Sequence, residues 1–241
     1  MEFSRARSSK IVGAAGFSTR TVALFLAAVA ILAALAYWGV GAYHAAQVRR
    51  SVLALVRDAS TRLQDALAAE SVNAPPESAD TVRKLDEHAQ EVDKRVVEVR
   101  GFGASGNRDL VNAAEEYLLT VRQILRNGAA SHRYHILVVT ANRAVHAQMS
   151  KADRRSASWI EETLRAKDRL ERAYFDYRLS VDAFDRLLGA YPQARDKLAQ
   201  QIGGGALLAD DFVADIATRV KEASQRTAAD VEKARQLAAV H

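Results

Sequence analysis

Apolar side chains recur along most of this chain in alternating steps of three and four, the spacing that lays one stripe along a helix facing another helix. The stretch 78–100 shows it most clearly, with Val82, Leu85, Ala89, Val92, Val96 and Val99 on one line. Ser78 stands where a helix cap belongs, and Asp80/Lys84 and Glu91/Arg95 form acid-before-base pairs four residues apart on the wall of that helix. The same steps run through Val111, Ala114, Leu118, Val121 and Leu125, and again through Leu170, Tyr174, Tyr177, Val181, Phe184 and Leu188. Val48, Val52, Val56, Leu63 and Leu67 share one face of an earlier segment. Near the C-terminus, Phe212 or Val213, Ile216, Val220, Val231 and Ala234 form a seam with a weak middle at Ala223, Ser224 and Thr227.

Glycine and proline punctuate these stripes. Beyond residue 46 they fall only at Pro75-Pro76, Gly101 to Gly106, Gly128, Gly189 with Pro192, and Gly203 to Gly205. As helix ends, these predict helices over approximately 43–73, 78–100, 108–127, 130–188, 193–202 and 207–239. Polar residues crowd the seam between Ser150 and Ser158, so the longest of these is expected to kink or break there. Ile136 to Val139 is β-branched, but helix-like sequence surrounds it and no second strand candidate exists to pair with it. The predicted fold is all-α: an N-terminal transmembrane helix, then an elongated helical bundle with antiparallel coiled-coil character.

The first pattern along the chain differs from these seams. No charged residue lies between Arg20 and Arg49, and 21–42 reads TVALFLAAVAILAALAYWGVGA. As a helix those residues span roughly 33 Å, enough for a bilayer core of about 30 Å. Arg20 at one end, and Tyr37, Trp38 and Tyr43 at the other, are the expected membrane-interface anchors. Ala34-Leu35-Ala36 offers a signal-peptidase-like site, but the apolar run continues to about Ala46, longer than a signal core; an uncleaved signal-anchor is the reading adopted. Arginines and lysines within about 20 residues balance on the two sides. A short basic tail has only its charge to decide its side, whereas a long domain crosses largely regardless of charge. The expected topology is single-pass, with residues 1–20 cytoplasmic and 43–241 outside, which is the periplasm in a Gram-negative cell.

Composition sharpens the picture. Of 241 residues 49% are hydrophobic, but 47 are alanine and only 7% are aromatic, which favours helices with modest buried area per residue. The absence of cysteine excludes disulfides, thiolate nucleophiles, iron–sulfur clusters and cysteine zinc sites. Of the formal charge of +5, the tail carries +3 (Arg5, Arg7, Lys10 and Arg20 against Glu2), leaving +2 for the remainder. Such a balance gives no basis for nucleic-acid binding, and Lys151 to Arg155 reads as a solvated helix face.

Motifs for chemistry are few. Gly101 to Gly106 has the form G-x-G-x-x-G, but it follows a charged helix rather than a strand and reads as a helix-to-helix loop. His132 and His135 are three apart and could chelate only with a borrowed ligand, while His146 lies roughly 16 Å further along the axis. Adjacent carboxylates such as Glu115-Glu116, Glu161-Glu162 and Asp210-Asp211 diverge by about 100° on a helix. No catalytic site, metal or cofactor is expected. The aromatic group Tyr174, Phe175, Tyr177 and Phe184, with Tyr191 beyond, is read as bundle core or as a groove for a partner helix or small ligand. Phe175 stands off the seam, so an exposed ring there points to a partner. The leading expectation is a non-enzymatic, membrane-anchored docking or scaffolding module that binds other proteins or itself through helical seams. The alternative is a ligand-sensing bundle that works through a partner protein, an architecture that resembles in class the helical ligand-binding regions of bacterial chemoreceptors. No second stretch beyond Ala46 is long and apolar enough to span a bilayer.

Overall fold

The computed structural model describes residues 19–72, 79–104, 107–151, 156–202 and 210–239, and in these it is all-helical. Five helices follow one another: α1 Thr19–Val72, α2 Ala79–Gly101, α3 Arg108–Met149, α4 Ala157–Ile202 and α5 Asp210–Ala239, with a 3-10 turn at Phe102–Ala104 after α2. The chain divides into two compact units, Met1–Ala46 and Gln47–His241. In the first, the described part of α1 carries its apolar side chains outward: Ile31, Leu32, Leu35, Tyr37, Trp38, Val40 and Tyr43 are all exposed. Among the described residues α1 is the one helix long and apolar enough to cross a membrane, over Ala27–Ala68.

In the second unit the predicted seams are the buried faces. Val52, Val56, Leu63 and Leu67 of α1, Leu85, Ala89, Val92, Val96 and Val99 of α2, and Val111, Ala114, Leu118, Val121 and Leu125 of α3 lie in one core. Phe184, Leu188, Tyr191, Leu198 and Ile202 of α4, with Val213 and Ile216 of α5, complete it. A second, smaller core joins Val138, Val145 and Met149 of α3 to Trp159, Ala166, Leu170, Tyr177 and Val181 of α4 and to Val231 and Ala234 of α5. The weak middle of α5 is answered by polar packing: Thr227 is buried, donates to the Ala223 carbonyl at 2.9 Å, and hydrogen-bonds the Tyr177 hydroxyl.

Besides α1, which joins the expected helices 21–42 and 43–73 into one, helix lengths differ from the sequence expectation in three places. Gly128 does not end a helix; α3 runs through it, with the Phe184 ring and Leu85 packed where a side chain would begin. Gly189 and Pro192 do not separate two helices either, because α4 continues to Ile202 with Leu188, Tyr191, Ala194 and Leu198 buried on both sides of the proline. Burial of that face offsets the lost N–H and the glycine's flexibility. The expected helix over 130–188 is instead divided between α3 and α4, as the polar crowding near Ser150 implies.

Local contacts fix that break. Ser156 Oγ accepts the Trp159 amide at 3.1 Å, an N-cap for α4. Trp159 Nε1 donates to the Gln148 carbonyl at 3.0 Å and Gln148 Nε2 to the Trp159 carbonyl at 3.2 Å, so the two helix ends hold each other. At the other end of α4, the Arg49 guanidinium donates to the Ile202 carbonyl at 2.8 Å, filling one of the acceptors a helix C-terminus leaves open.

Gly189 sits mid-helix with open space where a Cβ would project. Gly189→Ala is expected to stabilise the protein by about 1 kcal/mol through helix propensity, read as a higher melting temperature by circular dichroism in detergent.

Candidate functional site

Helical periodicity separates the aromatic residues that the sequence groups together. Phe184 is buried in the larger core against Gly128. Tyr177 is buried in the smaller core, where the His135 ring lies 5.3 Å from it at 39°. Tyr174 is half-buried beneath the Arg235 guanidinium, 5.5 Å from its ring centre, a cation–π contact from α5. Phe175 alone of the four points outward. Of the expected interface anchors, Tyr37, Trp38 and Tyr43 are exposed, and the Arg20 side chain lies outside the described residues.

Tyr191 belongs to a polar contact that sequence reasoning did not anticipate. Ser60 Oγ of α1 donates to the Val56 carbonyl at 2.9 Å and contacts the Tyr117 hydroxyl of α3 at 2.7 Å, which in turn lies 2.9 Å from the Tyr191 hydroxyl of α4. One proton per hydroxyl sets the direction: Tyr117 donates to Ser60, and Tyr191 donates to Tyr117. Burial pushes the Tyr117 phenol above its ordinary value, against the pull of its two hydroxyl partners and of Arg195, so it stays neutral. The chain ties three helices inside an otherwise apolar core. Its one sequence trace is a serine four residues after Val56, on the buried face of α1.

Ion pairs join the helices around their rims. Asp58 of α1 meets Arg95 of α2 at 2.9 Å; Asp93 of α2 meets Arg122 of α3 at 2.6 Å and also pairs with Arg126; Asp86 pairs with Arg133, and Glu116 with Lys197. Burial pushes the Asp58 carboxyl up, but Arg62 and Arg95 outweigh it and hold it below the usual carboxylate range. Between α4 and α5, Arg235 grips Glu171 through two hydrogen bonds, Nε to Oε1 at 2.8 Å and Nη2 to Oε2 at 2.5 Å. This bond holds the Glu171 carboxyl low despite partial burial.

The residues weighed for metal chemistry do not converge. His132 and His135 are half-buried on α3, His146 is exposed, and among the described residues no group of three or more histidines or carboxylates is placed to share an ion. The groove lined by Asn112, Glu115, Glu116, Leu119, Thr120 and Gln123 is formed by one face of α3.

The surface feature that stands out is on α4. Ile160, Leu164, Phe175 and Leu179 are 50%, 61%, 62% and 51% exposed. At about 100° per residue they fall in a sector about 100° wide, on the side of α4 away from the buried residues Trp159, Ala166, Leu170 and Tyr177. Sequence reading singled out Phe175 there and missed the other three, whose signal is the spacing of four within each of the pairs 160/164 and 175/179.

Tyr117→Phe removes the central hydroxyl and leaves Ser60 and Tyr191 without it. A loss of about 1–2 kcal/mol is expected, seen as a lower melting temperature. For Glu171 the folded-state value is lowered, so its pairing is fully present above the ordinary carboxylate range and is lost as acid passes below it. The wild-type melting temperature should therefore fall more steeply below about pH 4.5 than that of Glu171→Gln; parallel pH profiles would contradict this.

No family model, no curated protein and no solved structure matches this chain.

Proposed function

We propose that this protein is a membrane-anchored docking module without an enzymatic role. In this reading residues 21–42 cross the bilayer once as an uncleaved signal-anchor, and the short basic N-terminus stays in the cytoplasm. The unit Gln47–His241 then presents helix surfaces on the far side of the membrane, packed with coiled-coil-like seams. The observation that carries the docking assignment is the apolar stripe Ile160, Leu164, Phe175 and Leu179 on α4. Single exposed apolar residues are ordinary, but four large ones aligned on one helix face are what an amphipathic partner surface requires. The outward apolar side chains of α1 from Ile31 to Tyr43 support the anchor, because water leaves them no partner and lipid supplies one.

Two measurements test the reading. A reporter fused to the C-terminus should be active only as an export-dependent enzyme, and the protein should remain with membranes after alkaline extraction. A photo-crosslinking residue placed at Phe175 in cells should give a discrete adduct with a polypeptide, whereas the same residue at exposed Lys221 of α5 should not. Cytoplasmic reporter activity overturns the topology, and no adduct at Phe175 overturns the docking role.

A further inference from the structure

We infer that the occupant of the α4 stripe is a second copy of this chain; the inference rests on the docking role proposed above and names its partner. The argument is the self-complementarity of the face. Its apolar positions 160, 164, 175 and 179 are spaced by steps of 4, 11 and 4, an order that reads the same from either end. The stripe is about 28 Å long at 1.5 Å per residue. An α4 laid antiparallel on another places Ile160 level with Leu179 and Leu164 level with Phe175, while a parallel one places each against itself. In both directions large apolar groups meet across the face.

The charges within the gap behave the same way. Of its six charged residues, Lys167, Asp168, Glu171 and Arg172 lie nearest the face, two of each sign, with Lys167 and Glu171 toward one flank of the stripe and Asp168 and Arg172 toward the other, while Arg165 and Arg169 sit further round the helix. In an antiparallel pair each flank meets its own equivalent, so Lys167 comes level with the other copy's Glu171 and Asp168 with its Arg172, to within about one residue. In a parallel pair the flanks exchange, and Lys167 faces Asp168 while Glu171 faces Arg172. A partner of one dominant charge would meet like charges here, and a second copy meets opposite ones. Arg235 already holds Glu171 at the edge of this surface, and Asp168 pairs with Arg172 at 2.6 Å, so these groups are ordered before contact.

The absence of cysteine makes the test direct, because a single introduced thiol in the full chain reports only on its own contacts. Leu164→Cys, Phe175→Cys and the off-face control Lys221→Cys are each expressed in membranes and oxidised with copper phenanthroline. The expected result is a disulfide-linked species of twice the monomer mass for the α4 positions and none for Lys221→Cys. Self-linking of each α4 variant reads out the parallel pairing, and linking only when Leu164→Cys and Phe175→Cys are co-expressed reads out the antiparallel one. Adding Phe175→Arg to Leu164→Cys should reduce the linked fraction at least tenfold. Absence of a linked dimer at both α4 positions, alone and mixed, overturns the second copy as occupant. If the photo-crosslinker at Phe175 then captures a different polypeptide, the docking role stands; if it captures nothing, both fall.

Discussion

Everything in the Gln47–His241 unit is arranged on the antiparallel pairing of α3 with α4, the two longest helices within it. Level by level, Gln148 meets Trp159, His135 meets Tyr177, Gly128 meets Phe184 and Tyr117 meets Tyr191. Both hydrophobic cores are built on this pair: α1 and α2 complete the larger with the start of α5, and the end of α5 completes the smaller. Gly128 of α3 lies under the Phe184 ring of α4, where the two helices meet. A fully buried leucine or valine contributes about 1.5–3 kcal/mol, against at most about 1 kcal/mol for an exposed ion pair, so the seams rather than the rim charges hold the helices together.

The polar contacts decide how the helices sit rather than whether they associate. A seam of Ala, Val and Leu tolerates a slip of one turn at modest cost, because one aliphatic layer resembles the next. The hydroxyl chain Ser60–Tyr117–Tyr191 does not, since a slip would separate the buried Tyr117 hydroxyl from both Ser60 and Tyr191. The reciprocal Gln148–Trp159 clamp acts likewise between the end of α3 and the start of α4, and the paired hydrogen bonds from Arg235, which covers Tyr174, to Glu171 do so for α5. These contacts hold α4, and with it the exposed stripe on its outer side, in one register.

The chain's surface therefore has two apolar regions of different origin. Along α1 before Ala46 they surround the described part of the helix; on α4 they form one stripe opposite the core. Between its two apolar pairs the α4 stripe is interrupted by charges of both signs, Lys167, Asp168, Glu171 and Arg172 nearest the face.

The residues by themselves determined the helical class, the long apolar N-terminal helix and nearly every buried seam position, because the 3-4 period of Val, Leu and Ala expresses a local geometry that any packed helix must obey. The break between α3 and α4 was legible for the same reason, from polar residues at seam positions. Tertiary structure alone decided that Gly128, Gly189 and Pro192 lie inside helices, since burial of their neighbours outweighs local propensity. It also decided that Phe184 joins the larger core, Tyr174 and Tyr177 the smaller and Phe175 neither, and that Ser60, Tyr117 and Tyr191, on three separate helices, meet at all. Contacts between distant segments leave no period in the sequence, so only the folded chain reveals them.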